Sequence, residues 1–552
     1  MNSRLYLVAL ATALPTLLAF NTSPSSTIYN QLLALGAWGF ALLVGQASLT
    51  SRTGGGPVSV VLLLLAAVAL AQGGWTGGAL ASFSLMAAWV CFHAGRCGAW
   101  DDAPRGLALG LVIAGGAGVV IGAIQVYAPQ WVDGIWIARS GYEGRAVGNL
   151  RQPNHLATWL LWAAVGWVWW GVRARWSAPK VAAGLALFTA GVVLTASRTG
   201  LYLGVPLLLL WGLFDRQLPR GARWALAATP LYALGAWLLF HGLSAAGLGA
   251  FGAEIRLDEE GAGSPSRIKI LLNTWTLLQT HPWTGVGWGE FNRAWTLSVF
   301  PDRPIAFFDH SHNLPLQLLV ELGWPLGLLV LGLLAWGLLL AVRAAGRAQG
   351  EGAVDRRAPL MVILIVGVHS MLEYPLWYLY FLLPTAFAWG LCVTPTEHSF
   401  GPTSSGGAAL RKGLGLALLL GSAFALWEYQ QVAAIYAPAE DGRSLRERIQ
   451  AGQRTRLFSA QADYAAATTL VSDEGALQAA QRTAHHFIDA RLLMAWAKQL
   501  HARGEADPAR YLVARLREFR SREGSAWLSE CETDAGLWFC QSPERAHDWR
   551  GF

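Results

Sequence analysis

Residues 309–342 read DHSHNLPLQLLVELGWPLGLLVLGLLAWGLLLAV. An Asp, two His and an Asn fall within the first five positions, and a predominantly apolar run long enough to cross a bilayer follows them. Asn313 suits a helix N-cap and Pro315 its first turn. The expectation is a membrane span over 314–342 whose outer lip carries the most protonatable cluster in the chain.

The rest of the sequence extends that pattern. Of 552 residues 54% are hydrophobic and 14% charged, with a mean hydropathy of +0.37, against roughly 25% charged in soluble domains. Apolar runs recur near 5–20, 30–48, 57–72, 78–95, 106–127, 155–172, 181–197, 199–214, 223–242, 314–342, 358–372, 376–393 and 413–428. The fold class expected is all-α: a polytopic membrane protein with about thirteen transmembrane helices. The first run lacks a small-residue cleavage site and reads as a retained anchor.

Lys and Arg in short loops mark the cytoplasmic side. Arg4, Arg52, Arg96 with Arg105, Arg173 with Arg175 and Lys180, Arg216 with Arg220 and Arg223, Arg343 with Arg347, Arg356 and Arg357, and Arg411 with Lys412 occupy every second connection. The net charge of +7 is therefore a topology signal and gives no reason to invoke nucleic acid. The opposite face holds residues 128–154, the turn SRTG at 197–200, a large loop over 243–313, the turn EYPLW at 373–377 and everything after 428. Arginine on that face opposes the sorting rule, and a polyanionic ligand would explain it.

The chain divides into a transmembrane part, 1–428, and a charged, Ala-rich tail, 429–552. Within the tail, DARLLMAWAKQLHARGEADPARYLVARLREF reads as two helices broken at RGEADP. It resembles one copy of a tetratricopeptide-like hairpin, where about three copies make a free-standing array. Such a tail either binds a partner or packs on the membrane part. Cys531 and Cys540 lie outside, where a bridge persists; Cys91, Cys97 and Cys392 lie in or beside spans.

Five segments on the outer face carry candidate chemistry. In the first, His312 lies beside the positive end of a helix dipole, which disfavours imidazolium and favours anions. A neutral His beside an anionic leaving group is placed to act as a general base. Asp309, His310 and Asn313 accompany it, and capping and solvation of the helix end is the alternative reading. A metal site is a poor fit, because one-residue spacing within a turn suits zinc badly. The second segment, LTASRTGLYLG, holds Arg198 at membrane depth, where a guanidinium needs a carboxylate, phosphate or carbonyl partner, or snorkels to headgroups. In the third, GSPSRIKILLNTW, Ser264 caps and Pro265 starts a helix with Arg267 in its first turn, where an anion would offset the unfavourable dipole. In the fourth, GRAVGNLRQPNHLATWLL, Pro153 and Asn154 read as the stop and cap of the next span, with Gln152, Asn154 and His155 at its outer lip and Arg145 and Arg151 just before. Finally, GVHSMLEYPLWYLYF places His369 within a span and Glu373 and Tyr374 at its outer end.

SRTG, the later helix Arg and HSHNLPLQLLVELG are similar to the signature elements of the O-antigen ligase and O-oligosaccharyltransferase superfamily. Within it, RQPNHLATWLL, HSMLEYPLWY and the helical tail most resemble the PglL-type protein O-oligosaccharyltransferases, over most of the chain from about residue 140 onward. The resemblance implies an enzyme of the bacterial inner membrane with its active site facing the periplasm. It would transfer a preassembled glycan from undecaprenyl diphosphate, held among membrane lipids, to a hydroxyl of a pilin-like or other periplasmic acceptor protein, with no metal or other cofactor. On this resemblance Arg198 and Arg267 hold the diphosphate, His312 serves the attacking hydroxyl, and Arg145, Gln152, Asn154 and Tyr374 line the site. The alternatives are an O-antigen ligase acting on lipid A-core, which the sizeable tail disfavours, and a transporter or non-catalytic scaffold.

Overall fold

The computed structural model describes residues 5–45, 56–97, 102–260, 265–305, 307–394, 405–438, 442–470 and 475–552. Among the described residues every regular element is helical. Within its described residues each apolar run named above is largely helical, from Leu5–Leu17 to Ser405–Tyr436. Three helices among the described residues are long and apolar enough by themselves to cross a membrane: Ala103–Tyr127, Leu314–Arg347 and Gly406–Tyr436. Several others, such as Ile28–Val44 and Ala178–Leu194, are 17 residues long, or about 25 Å at 1.5 Å per residue, just short of a hydrocarbon core of about 30 Å.

Two of the expected spans are not straight. The run 223–242 is divided into Arg220–Ala227 and Thr229–Ala245, bent by 45°. The run 314–342 is interrupted at Gly323, whose φ of 74° and ψ of 173° are open only to glycine. A Cβ there would lie 2.4 Å from the carbonyl oxygen of Trp283, so side chain and backbone conformation both require Gly. The segment 282–287 packs against the break, with Val286 N–H donating to Val320 O at 2.8 Å, Gly287 N–H to Glu321 O at 3.1 Å and Trp324 N–H to Pro282 O at 2.7 Å. Those bonds satisfy the carbonyls released where the helix stops, and Pro325 begins the next helical segment.

The chain forms two compact units, one of Met1–Leu63, Ser84–Ala262 and Leu333–Phe424, the other of Leu64–Phe83, Gly263–Gly332 and Ala425–Phe552. In the first, Ala103–Tyr127 packs on both Leu5–Leu17 and Pro153–Arg173. Gly110 and Gly115 permit this, because a Cβ at Gly110 would stand 2.7 Å from Ala9 O and one at Gly115 2.1 Å from the Ala163 Cβ. Small residues let apolar helices approach closely enough for dispersion to hold them where no hydrophobic drive exists. Two of the short-loop arginines cap helix ends: Arg223 donates to Gly212 O and Leu213 O at 3.1 Å, and Arg357 donates to Ala345 O at 3.1 Å while pairing with Asp215.

In the second unit the tail holds two successive helix pairs, Ser459–Thr469 with Ala476–Ala484 and Ala490–Ala502 with Ala506–Phe519. It shares one core with the loop that precedes His312. Phe307 stacks on Phe519 with centroids 3.7 Å apart. Arg303 donates to Glu518 at 2.9 Å and to Trp295 O at 2.7 Å, and Asn292 joins Phe308 O to Ile488 N–H. Cys531 and Cys540 form a disulfide, and Cys91, Cys97 and Cys392 are buried and outside any disulfide.

Candidate functional site

In the first unit the candidate residues converge on the turn before Arg198. Ala196 sits in the left-handed region at φ 51°, a conformation that a non-Gly residue holds only when its surroundings enforce it. The enforcement is visible bond by bond. Leu194 O accepts from Ala146 N–H at 3.1 Å, Thr195 O from Arg145 Nε at 3.1 Å, and Ala196 O from Arg256 Nη1 at 3.1 Å. Ser197 Oγ donates to Asn154 Oδ1 at 2.6 Å, and Asn154 Nδ2 donates to Glu373 Oε1 at 3.1 Å. The cap of this helix is Gln152 and not, as expected, Asn154: Gln152 Oε1 accepts Asn154 N–H at 2.6 Å, because Pro153 already occupies the first helical position. Arg198 emerges from this clamp half-buried and lines a shallow cleft with Arg256, Ser197, Tyr202 and Trp237.

The outer connection that supplies Arg145 is itself fixed from below. Buried Gln125 accepts from Val147 and Gly148 N–H and donates to Ala138 O at 2.7 Å, while Asn149 donates to Leu17 O at 2.6 Å and Trp136 O at 3.0 Å. Arg145 lies 5.0 Å from the Tyr142 ring. Arg151, in contrast, is spent on Ser26 O and Ala19 O. His155 is not beside Asn154 at the turn but in an aromatic interior, its ring 4.7 Å from Tyr378 and 5.1 Å from Phe381, with Nδ1 3.2 Å from Tyr380 Oη. His369 lies 5.9 Å from the same ring and bonds Thr158 Oγ1 at 2.8 Å. Tyr374 stacks on Tyr378 at 6.0 Å.

In the second unit Asn313 forms the N-cap bond expected of it, accepting Leu316 N–H at 3.0 Å. His312 has φ 59° and stands edge-on to Phe308, with centroids 5.1 Å apart. Its Nδ1 lies 2.9 Å from His310 O. A carbonyl accepts only, so Nδ1 carries the proton of the neutral ring and the basic lone pair belongs to Nε2. Nε2 is then the ring nitrogen able to take a proton. His310 and Asp309 form an ion-pair contact at 3.2 Å. Desolvation pushes the Asp309 carboxyl up, but the hydrogen bond and charge of His310 hold it below the usual carboxylate range. Arg267 lies in the first turn of Pro265–Thr280, as expected; Ser264 falls outside the described residues. No three His, Cys, Asp or Glu among the described residues converge as a metal-binding set.

Several participants were missed by reading the sequence. Arg256 grips the Arg198 turn from the outer loop, and the signal that singled out Arg145, a cation on the face that sorting disfavours, applied equally to it. Gln317 accepts Ser311 N–H at 2.7 Å and donates to Glu321 at 2.9 Å, pinning the His312 loop to its helix. Two buried polar residues at i and i+4 inside an apolar run were the available clue. Ser197 was read only as part of the SRTG turn.

Comparison with known proteins follows the same segments. Residues 183–331, which contain Arg198, Arg267 and His312, match the O-antigen ligase family model. Residues 146–170, with Gln152, Asn154 and His155, match the model described as protein glycosylation ligase. The chain resembles protein O-oligosaccharyltransferases of the O-antigen ligase family. Residues 358–527, including Glu373 and much of the tail, match the C-terminal model of a virulence factor membrane-bound polymerase. The general O-oligosaccharyltransferase of Acinetobacter baylyi is 26% identical over 270 residues, 46% of this chain and 45% of that protein. The match thus spans less than half the length of that curated relative.

Proposed function

We propose that the chain is a protein O-oligosaccharyltransferase. Its donor is a glycan on undecaprenyl diphosphate, and its acceptor is a Ser or Thr hydroxyl of a pilin-like or other periplasmic protein. The hydroxyl oxygen bonds to the sugar C1 as the C1–O bond to the diphosphate breaks, and the hydroxyl proton passes to His312 Nε2. Arg198 and Arg267 bind the diphosphate and stabilise the charge it gains on leaving, through cations fixed before the reaction begins. Asn154, Ser197, Glu373, Arg145 and Arg256 hold the Arg198 turn in position. The route needs no metal, because a diphosphate is already a good leaving group. We further propose that residues 1–428 form about thirteen spans in the inner membrane with these segments facing the periplasm, and that 429–552 lies on that side.

The observation that carries the reading is His312: a left-handed residue at a helix N-terminus whose Nδ1 is committed to a carbonyl, leaving Nε2 as the base. The match of residues 146–170 to a protein glycosylation ligase model supports protein over lipid A-core as acceptor; the O-antigen ligase match keeps the lipid acceptor as the second reading. Expression with a lipid-linked glycan in a ligase-deficient Gram-negative host separates them. Glycan on periplasmic protein supports the proposal, glycan on lipid A-core the second reading, and glycan on neither contradicts both.

A further inference from the structure

A cavity of about 350 Å³ opens in the first unit, lined by the ends of four helices and by none of the candidate site residues described above. Arg96 closes the helix Ala79–Arg96, and Arg343 and Arg347 end Leu314–Arg347. All three line the cavity, and no Asp or Glu lines it among the described residues. Its other walls are apolar and aromatic, with Pro57, Phe92 and Trp389 among them. By the alternation of basic residues, all of these helix ends belong to the cytoplasmic side.

Sorting alone needs arginines near the cytosol. It does not need three of them, from two helices, turned onto one cavity with an apolar wall. A cationic mouth over an apolar wall is complementary to an amphiphile with an anionic head, and basic pockets between membrane helices on this side take anionic phospholipid headgroups. We propose that this cavity binds an anionic phospholipid of the cytoplasmic leaflet, its phosphate among Arg96, Arg343 and Arg347 and its acyl chain along the wall formed by Phe92 and Trp389. The site rests on the membrane orientation proposed above but not on the transfer reaction, so its test reads lipid binding alone.

The full-length protein in nanodiscs of phosphatidylcholine would be titrated with phosphatidylglycerol, and bound lipid counted by native mass spectrometry. Phosphatidylglycerol should be retained over phosphatidylcholine, and Arg343→Gln with Arg347→Gln should weaken that preference on the order of tenfold or more. The pair Arg343→Lys and Arg347→Lys keeps the charge and should keep most of the preference. A photoreactive phosphatidylglycerol on the unaltered protein should crosslink to peptides containing Phe92 or Trp389, which keeps the test decisive if the Gln pair fails to fold. Equal retention of the two lipids, an unchanged preference in the Gln pair, or crosslinks confined to other helices would overturn the proposal. So would saturation by inorganic phosphate or glycerol phosphate with the same effect as the lipid, since that would mark a small-anion site.

Discussion

Asn154→Ala tests the clamp on the Arg198 turn. The side chain makes two bonds, accepting Ser197 Oγ–H at 2.6 Å and donating to the Glu373 carboxylate at 3.1 Å. Ser197 and Glu373 are 1% and 7% exposed, so water cannot readily replace the lost partner. A neutral bond contributes about 1 kcal/mol and one to a buried charge about 1.5–3 kcal/mol, which gives a loss of about 3 kcal/mol on truncation. The strained Ala196 then loses part of what enforces it, and a displacement of Arg198 by about 1 Å would slow transfer on the order of a hundredfold. Reversible unfolding in mixed micelles would read the stability, and transfer from a lipid-linked glycan to an acceptor peptide the rate. Combined with Glu373→Gln, the double variant should depart from additivity by about 1 kcal/mol or more. A variant within about 0.5 kcal/mol of the parent, additive with Glu373→Gln and normal in rate, would refute the clamp.

Gly323→Ala should destabilise the second unit by about 3 kcal/mol, because the conformation excludes a side chain and the Cβ meets Trp283 O; thermal unfolding followed by tryptophan fluorescence would show it. Burial would raise the Glu290 carboxyl, but the hydrogen bond and charge of His485, with Arg293, hold it below its ordinary value near 4.5. A depressed acid stabilises the fold above that value and ceases to do so as pH falls through the lower one, so Glu290→Gln should be less stable at neutral pH and show a flatter acid limb in unfolding measured from pH 6 to 3. Cys531→Ser with Cys540→Ser opens a loop of nine-residue separation and should cost the tail about 2.5 kcal/mol, measured by urea unfolding with and without reductant.

The local chemistry at helix starts was legible in the sequence. Asn313 and the helix beginning at Pro265 act where capping rules put them, since those rules depend on neighbours within four residues; at the helix beginning with Pro153 the cap falls two residues earlier than expected, on Gln152. What was not legible depends on residues far apart in the chain. Nothing near Gly323 in sequence reveals that residues 282–287 press against it, nor does RQPNHL reveal that Asn154 points to Ser197 and Glu373 while His155 turns into an aromatic interior. The arginines divide in the same way. Their break from the alternation of basic loops was visible, but Arg151 satisfies carbonyls of Ala19 and Ser26, Arg145 and Arg256 brace the turn, and Arg198 lines a cleft. Charge counting sees all four alike.

The most direct test of the account is transfer by the purified full-length protein from an undecaprenyl-diphosphate-linked glycan to a serine-bearing acceptor, read by mass spectrometry of the acceptor. His312→Ala and Arg198→Lys should each leave the protein folded and abolish or severely impair transfer, with chelator having no effect on the parent. Transfer at the parental rate by His312→Ala would contradict the account.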